Sequence, residues 1–127
     1  MDYIKESDFK IFKDLDEAMN YFKDETIYYV TRYSKNVYSS FDYSDIVHDI
    51  YFMFGRESSG IPLDLLRANI DKTVRIPMVP SARSLNLSNS VAIVLFEALR
   101  QQKFFNLSTQ ELIKGEDFLI NEEAKSE

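Results

Sequence analysis

Residues Arg75–Gln101 read "RIPMVPSARSLNLSNSVAIVLFEALRQ", so a proline-punctuated stretch leads through a polar segment into a long apolar run. Pro77 and Pro80 each lack a backbone N–H and hold the chain extended. Serine and asparagine supply six of the next ten side chains, residues 81–90. A helix N-terminus uses one or two such residues as caps. The surplus therefore favours a polar ligand, such as an adenosine-like group or a ribose hydroxyl.

The apolar run predicts a helix from about Leu87 to Lys103, because its β-branched start is followed by good helix formers. Between Val91 and Leu99 only Glu97 is polar. A helix that is apolar almost all round is covered on several sides. In a domain of this size a second subunit can supply that cover, so the sequence predicts a homodimer.

The segments upstream alternate between short strands and short helices, which is typical of an α/β domain. A helix is predicted over Asp14–Lys23 with Asp14 as its N-cap, and a shorter one begins near Pro62. The predicted strands and extended segments are Asp8–Lys13, Thr26–Thr31, Ile50–Phe54 and Val74–Pro80.

Two signals mark the C-terminal end. "STQE" at Ser108–Glu111 has the pattern of a capping box, and Gly115 stands where a helix would end. The last residues, "NEEAKSE", are acidic and typical of a disordered tail. We therefore expect one domain over residues 1–107, followed by a short appended helix and an acidic tail over residues 108–127.

The composition excludes several classes of site. The 127 residues include no cysteine and one histidine, which rules out disulfides, thiolate metal sites and histidine-rich metal sites, and no metal is expected. The net charge is −6, yet residues 50–110 carry seven basic and four acidic side chains, a local net charge of +3. The longest apolar run, Val91–Phe96, is too short to span a membrane. The N-terminus does not have the pattern of a signal peptide, so a soluble cytoplasmic protein is expected.

The stretch "FMFGRESSGIP" carries Gly55 and Gly60 in the spacing of half a phosphate-binding loop. Ile61 and Pro62 replace the Lys-Ser/Thr pair of a nucleoside triphosphatase, which excludes that class. The two remaining interpretations are a glycine-punctuated turn and a close approach of the backbone to a ligand. If the backbone at Gly55 does approach a ligand, a side chain there would occupy the ligand's space. Gly55→Val should then abolish ligand binding and leave the protein folded.

Two further candidates have a plain structural interpretation. His48, beside Asp49, is predicted to be a surface histidine rather than a general base. Five tyrosines could stack on RNA bases, but their spacing favours packing in strands: Tyr28, Tyr29, Tyr33, Tyr38 and Tyr43.

The motifs "FGRESSGIP" and "RIPMVPSARSLNLSNSVAIVLFEALRQ", in this order and at this spacing, resemble the second and third motifs of the SPOUT methyltransferases. The likeness is strongest to the small bacterial tRNA 2′-O-methyltransferases that act on the wobble nucleotide of the anticodon. The resemblance implies an α/β knot: a mostly parallel sheet with helices on both faces and a C-terminal deep trefoil knot. It also implies S-adenosyl-L-methionine as cofactor, a homodimer, and the anticodon stem-loop of tRNA as substrate.

Matching the motifs position by position gives the site residues that the resemblance implies. The cofactor-binding positions are Val30, Gly55, Ile76, Ser84 and Leu85. The positions that bind or orient the reacting nucleotide are Glu57, Ser84 and Asn86. Phe96 stands where many relatives carry tyrosine, so a hydroxyl contact from that position is not expected here.

The front of the chain departs from the family pattern. Members normally begin with a strand and an "N-x-G-N" motif followed by an arginine, and residues 1–25 contain no such motif. The resemblance therefore implies that the N-terminal strand or strands are missing, through a misplaced start, a truncation or a decayed gene. We expect negligible methylation by these 127 residues alone, and the alternative function is a cofactor- or RNA-binding module without turnover.

Overall fold

Three parallel strands form the sheet in the computed structural model, which describes residues 12–56, 59–79 and 86–121. The elements in chain order are α1 (Leu15–Tyr21), β1 (Thr26–Val30), β2 (Ile50–Phe54), α2 (Leu63–Ala68), β3 (Thr73–Val74) and α3 (Leu87–Gln101), with 3₁₀ turns at Tyr38–Ser40, Ile70–Lys72 and Phe118–Ile120. Strand β1 is central, and Val30 lies opposite Phe54 on one side and Val74 on the other. The predicted α/β class with a parallel sheet is confirmed.

Successive residues of β1 point to opposite faces of the sheet. On one face, Ile27 and Tyr29 pack against Ile61 and against Leu66 of α2, and Met19 of α1 covers the same cluster. We call this the α1/α2 face. It is closed by aliphatic and aromatic side chains.

The opposite face of the sheet, the α3 face, contains an aromatic cluster. Tyr28 packs there with Tyr43, Val74 and Ala98 of α3. Tyr43 is fully buried, and its ring centroid lies 5.0 Å from that of Tyr28 and 5.2 Å from that of Phe52. Helices therefore cover both faces, as predicted.

Side-chain amides at the end of α3 tie the loop before β2 to this face. The Gln101 Oε1 accepts a hydrogen bond from the Tyr43 N–H at 2.7 Å, and its Nε2 donates to the Phe41 carbonyl at 3.0 Å. The Gln102 Nε2 donates to the Tyr43 carbonyl at 2.9 Å. Both backbone groups of a fully buried residue are thereby satisfied.

Local signals determine where α1 begins. The Asp14 carboxylate accepts a hydrogen bond from the Glu17 N–H at 2.9 Å, which confirms the predicted N-cap. The strand predicted over Asp8–Lys13 falls largely outside the described residues. Phe12 and Lys13, which are described, are not in a strand.

Helix α3 begins at the predicted residue and ends at Gln101, two residues earlier than predicted. The Phe104 N–H donates to the Leu99 carbonyl and the Lys103 N–H to the Arg100 carbonyl, which is a Schellman arrangement. Lys103 has φ 58° and Phe104 φ 55°, so a lysine occupies the left-handed position that glycine usually takes.

The helix predicted from "STQE" is not formed. The Ser108 hydroxyl bonds to the carbonyl and the N–H of Gln110, and the Glu111 carboxylate accepts from the N–H groups of Ile113 and Lys114. These local turns satisfy the groups that a capping box would use. Between Ser108 and Asn121 the only helical residues are the 3₁₀ turn Phe118–Ile120. The division into residues 1–107 and 108–127 stays a prediction.

Candidate functional site

Three of the predicted cofactor residues meet at one edge of the sheet. Val30 ends β1, Gly55 directly follows β2, and Ile76 lies two residues beyond β3. Because all three strands are parallel and adjacent, their carboxyl ends lie side by side. In open α/β sheets, ligands bind outside this edge.

The N–H and C=O of Ile76 are polar backbone groups at this edge. Ile76 is only 9% exposed, yet neither its N–H nor its C=O forms a hydrogen bond with another described residue. Pro77 follows and has no N–H to offer. Buried backbone groups are almost always paired. The edge therefore combines an apolar side chain with polar backbone groups that a ligand could satisfy.

Gly55 is required by the protein's own backbone. A Cβ there would lie 2.3 Å from the Gly60 carbonyl carbon and 2.3 Å from the Ile61 nitrogen. The Gly60 N–H donates to the Arg56 carbonyl at 2.8 Å, which closes the loop tightly on itself. The expectation that a side chain would only displace a ligand and leave the fold intact is therefore wrong, since it would first collide with this loop.

Asn86 is the N-cap of α3. Its side-chain Oδ1 accepts a hydrogen bond from the Ser88 N–H at 2.8 Å. The side-chain amide NH₂ donates to no acceptor among the described residues. Three other predicted site residues lie outside the described residues: Glu57, Ser84 and Leu85.

Tyr33, one of the five tyrosines considered for base stacking, pairs just after β1 with Arg32, which the sequence analysis did not single out. The Arg32 guanidinium lies 4.5 Å from the centroid of the Tyr33 ring and donates to its hydroxyl at 2.9 Å. The Tyr33 N–H donates to the Thr31 hydroxyl, and the Arg75 guanidinium donates to the Arg32 carbonyl. The position of Arg32 and Tyr33, two and three residues past the end of a strand, was the available signal.

The tyrosines divide into two groups. Tyr28 and Tyr29 are buried in β1, which confirms the predicted packing in strands. For Tyr43 and Tyr38 that prediction is wrong, because Tyr43 is buried in a loop and Tyr38 is half-buried in a 3₁₀ turn. Burial raises the pKa of Tyr43, and the negative field of Tyr28 adds to the rise. Tyr33 is the exception, because 62% of its surface is exposed.

His48 is a surface residue, as predicted. Its side chain is 81% exposed and its Nδ1 lies 2.9 Å from the Asp45 carboxylate. Hydrogen bonds from the Val47 N–H and from His48 lower the pKa of Asp45 to about 2.

Two kinds of feature are absent from the part of the chain that the structure describes. No three or more histidine, aspartate or glutamate side chains there are grouped to hold a metal ion. No helix in those ranges has the length and apolar character that crossing a membrane requires.

A sequence profile described as the SpoU rRNA Methylase family matches residues 1–96. A protein of Geobacillus stearothermophilus, provisionally named a tRNA (cytidine(34)-2′-O)-methyltransferase, is 43% identical over 108 residues, covering 85% of this chain and 69% of that protein. A protein of Bacillus subtilis with the same provisional name is 44% identical over 93 residues, covering 73% of this chain and 58% of that protein.

Solved structures are also similar. An RNA methyltransferase of Bacillus anthracis, again provisionally named, superposes with a TM-score of 0.74 at 40% identity over 79% of this chain and 63% of that one. A structure described by the words "2-OH methylation of C/U34 on tRNA" gives 0.66 at 25% identity, over 76% and 57%. The SpoU methyltransferase AviRb of Streptomyces viridochromogenes, in complex with AdoMet, gives 0.59 at 26% identity, over 72% and 37%. Most of these proteins are therefore matched over less than two thirds of their length.

Proposed function

The chain belongs to the SpoU rRNA Methylase family, and from this membership we propose that it is an S-adenosyl-L-methionine-dependent tRNA methyltransferase. Its substrate is the ribose 2′-hydroxyl of the wobble nucleotide, position 34, in the anticodon stem-loop. The observation that carries the proposal is the meeting of Val30, Gly55 and Ile76 at the carboxyl edge of a parallel sheet. The names of the relatives, at 43% and 44% identity, support the choice of substrate.

The residues at this edge fit the proposed cofactor. Val30 and Ile76 offer apolar surface for an adenine-like ring. The N–H and C=O of Ile76, which bond to no other described residue, can meet the polar edge of that ring. Gly55 lets its own loop close beside them, and the family pattern adds Ser84 and Leu85. When bound, the cofactor supplies an activated methyl group on a sulfonium sulfur.

The chain's own part in the reaction is to hold and deprotonate the ribose. The amide NH₂ of Asn86, which has no acceptor among the described residues, can donate to a ribose oxygen while the Oδ1 still caps α3. Ser84 adds a hydroxyl, and Glu57 carries the group among these three that accepts a proton at neutral pH. Positioning a weakly acidic hydroxyl for in-line attack supplies much of the rate enhancement.

Assembly and location are part of the proposal. Leu95 and Phe96 of α3 are 44% and 56% exposed in the single chain, and a symmetric homodimer through α3 would cover them. The family resemblance further implies a deep trefoil knot in the C-terminal part. We expect the enzyme to act in the cytoplasm, without a metal and without membrane contact.

Methyl transfer from radiolabelled cofactor to an anticodon stem-loop RNA tests the function. Label should enter RNA with a ribose at position 34 and should not enter the same RNA with a 2′-deoxyribose there. This proposal replaces the expectation of negligible methylation, which rested on the missing "N-x-G-N" motif alone. Transfer to the deoxy RNA would contradict ribose methylation. If S-adenosylhomocysteine and RNA both bind without any transfer, the chain is instead a binding module without turnover.

Substitutions of Asn86 separate its cap from its proposed contact with the ribose. Asn86→Asp keeps a cap oxygen but loses the amide donor, so we expect unchanged thermal stability and about a 10²-fold lower kcat. Asn86→Ala loses both, and its free energy of unfolding should fall by about 1 kcal/mol as well. Equal kcat for the unaltered chain and Asn86→Asp would show that the Asn86 amide does not contribute to the reaction.

A further inference from the structure

A cavity separate from the proposed cofactor residues lies beside the carboxyl edge, on the α1/α2 face. Its volume is about 410 Å³, within the range of small-ligand sites. Leu63 and Leu66 of α2 form an apolar wall, Ser34 and Thr73 line another side, and Tyr33 and Arg67 also line the cavity. None of the proposed cofactor residues lines it, so the reaction described above leaves it without a function.

The hydroxyl groups that line this cavity are already paired. The Thr73 hydroxyl lies 2.8 Å from the Ser34 hydroxyl and 2.8 Å from the Ile70 carbonyl, and the Ser34 hydroxyl accepts from the Asn36 N–H. A bound group would therefore meet a mostly apolar surface whose hydroxyls do not need it as a hydrogen-bond partner. Such a surface selects for a flat group with an apolar face.

Two arginines suit a negatively charged chain that carries such flat groups: Arg67 lines the cavity, and Arg32 contacts the Tyr33 ring. Arg32 stacks on the exposed Tyr33 ring, which holds that ring in place. The Arg67 guanidinium forms no ion pair or hydrogen bond with any described residue. Aromatic platforms beside arginines bind unstacked bases in single-stranded RNA, with phosphates meeting the cations.

We propose that this cavity holds an unstacked base of the RNA substrate, stacked against Tyr33, with the adjoining phosphate near Arg67. The proposal rests on the proposed function, because it places a nucleotide near the one that is methylated. Since the hydroxyls of the cavity are paired internally, recognition is by stacking and shape. Affinity gained there should depend little on which base is bound.

Fluorescence anisotropy with a labelled anticodon stem-loop RNA and the full chain tests the cavity. Tyr33→Ala should weaken RNA binding about tenfold or more, whereas Tyr33→Phe keeps the ring and should bind as the unaltered chain does. Arg67→Gln should weaken binding more than Lys23→Gln, which removes the same charge just after α1. Circular dichroism checks that each variant is folded, and S-adenosylhomocysteine affinity should be unchanged in all four.

Three outcomes would overturn the inference. If Tyr33→Ala binds RNA as tightly as the unaltered chain, which itself binds and methylates RNA, only this inference fails. If Tyr33→Ala loses S-adenosylhomocysteine affinity while RNA affinity stays constant, the cavity belongs to the cofactor. If the unaltered chain binds no RNA, the proposed function fails as well.

Discussion

The two faces of the sheet are stabilised in different ways. The core of the α1/α2 face is made of apolar side chains such as Ile61 and Leu66, which form few directional contacts. The α3 face buries Tyr43 completely and depends on amides of Gln101 and Gln102 to satisfy that residue's backbone. The first face should therefore be sensitive to changes of shape, and the second to the loss of hydrogen-bonding partners.

Gly55→Ala should have the largest effect, because it forces the 55–61 loop away from the core of the α1/α2 face. The added Cβ meets the backbone at Gly60–Ile61, and Ile61 is a core residue. We expect the free energy of unfolding in urea to fall by roughly 3 kcal/mol or more.

Gly60→Ala is the matched control for that substitution. Gly60 has φ +71° with open space around it, so only backbone strain of about 1–2 kcal/mol is added. Equal losses at the two glycines would show that the contact with Gly60–Ile61 is not the cause. The faces would then not differ in the way described above.

Gln101→Ala tests the α3 face. It leaves the Tyr43 N–H and the Phe41 carbonyl without their partner, at a cost of about 2 kcal/mol in the free energy of unfolding. Gln110→Ala, at an exposed position, should change stability by less than about 0.5 kcal/mol. A loss at Gln101 no larger than at Gln110 would show that these hydrogen bonds do not stabilise the face.

Alkaline pH should weaken the α3 face through Tyr43. Burial raises the pKa of this hydroxyl above its unfolded value of about 10, so the unfolded chain releases the proton first. Stability is then complete below about pH 10 and falls as the pH rises further.

The Tyr43→Phe variant isolates this contribution. It loses the hydrogen bond from the Tyr43 hydroxyl to the Tyr38 carbonyl, at about 1 kcal/mol near neutral pH. Its urea midpoint should decline less steeply above pH 10. Because burial also raises the pKa of Tyr28 and of Tyr29, some decline should persist. Parallel declines in both proteins would exclude Tyr43 as the titrating group.

Lys103→Gly should produce the smallest change, and it should be stabilising. Lys103 has φ 58° at the end of α3, where glycine avoids the steric cost of a Cβ. We expect the melting temperature to rise, because the free energy of unfolding should increase by about 0.5–1 kcal/mol. Lys103→Ala keeps the Cβ and should give no such gain; if it does, the lysine side chain and not the backbone is responsible.

Much of the fold could be predicted because its signals are local. The bounds of β2 follow from an uninterrupted apolar run that ends at a glycine, and Asp14 and Asn86 cap α1 and α3 where polar residues precede apolar ones. The same local reasoning failed at Ser108, where the hydroxyl bonds to Gln110 in place of capping a helix. The sequence pattern alone does not show whether the Ser108 hydroxyl caps a helix or bonds to Gln110 in a local turn.

The site was predicted less completely because its geometry depends on distant parts of the chain. Nothing in the spacing of Gly55 and Gly60 says that their backbones come within contact distance. Tyr33 resembled its neighbouring tyrosines in sequence, and only the end of β1 at Val30 leaves it outside the sheet. Three-dimensional placement, and not residue type, separated it from the others.

The amide tethers of the α3 face also bear on how fast the protein folds and unfolds. Gln101 and Gln102 reach residues that are 58 to 60 positions earlier in the chain. Contacts of such long sequence separation form late, after the entropy of closing the loop has been lost. We expect these hydrogen bonds to be weak in the folding transition state. Their main effect should therefore be to lower the unfolding rate, with little effect on the folding rate.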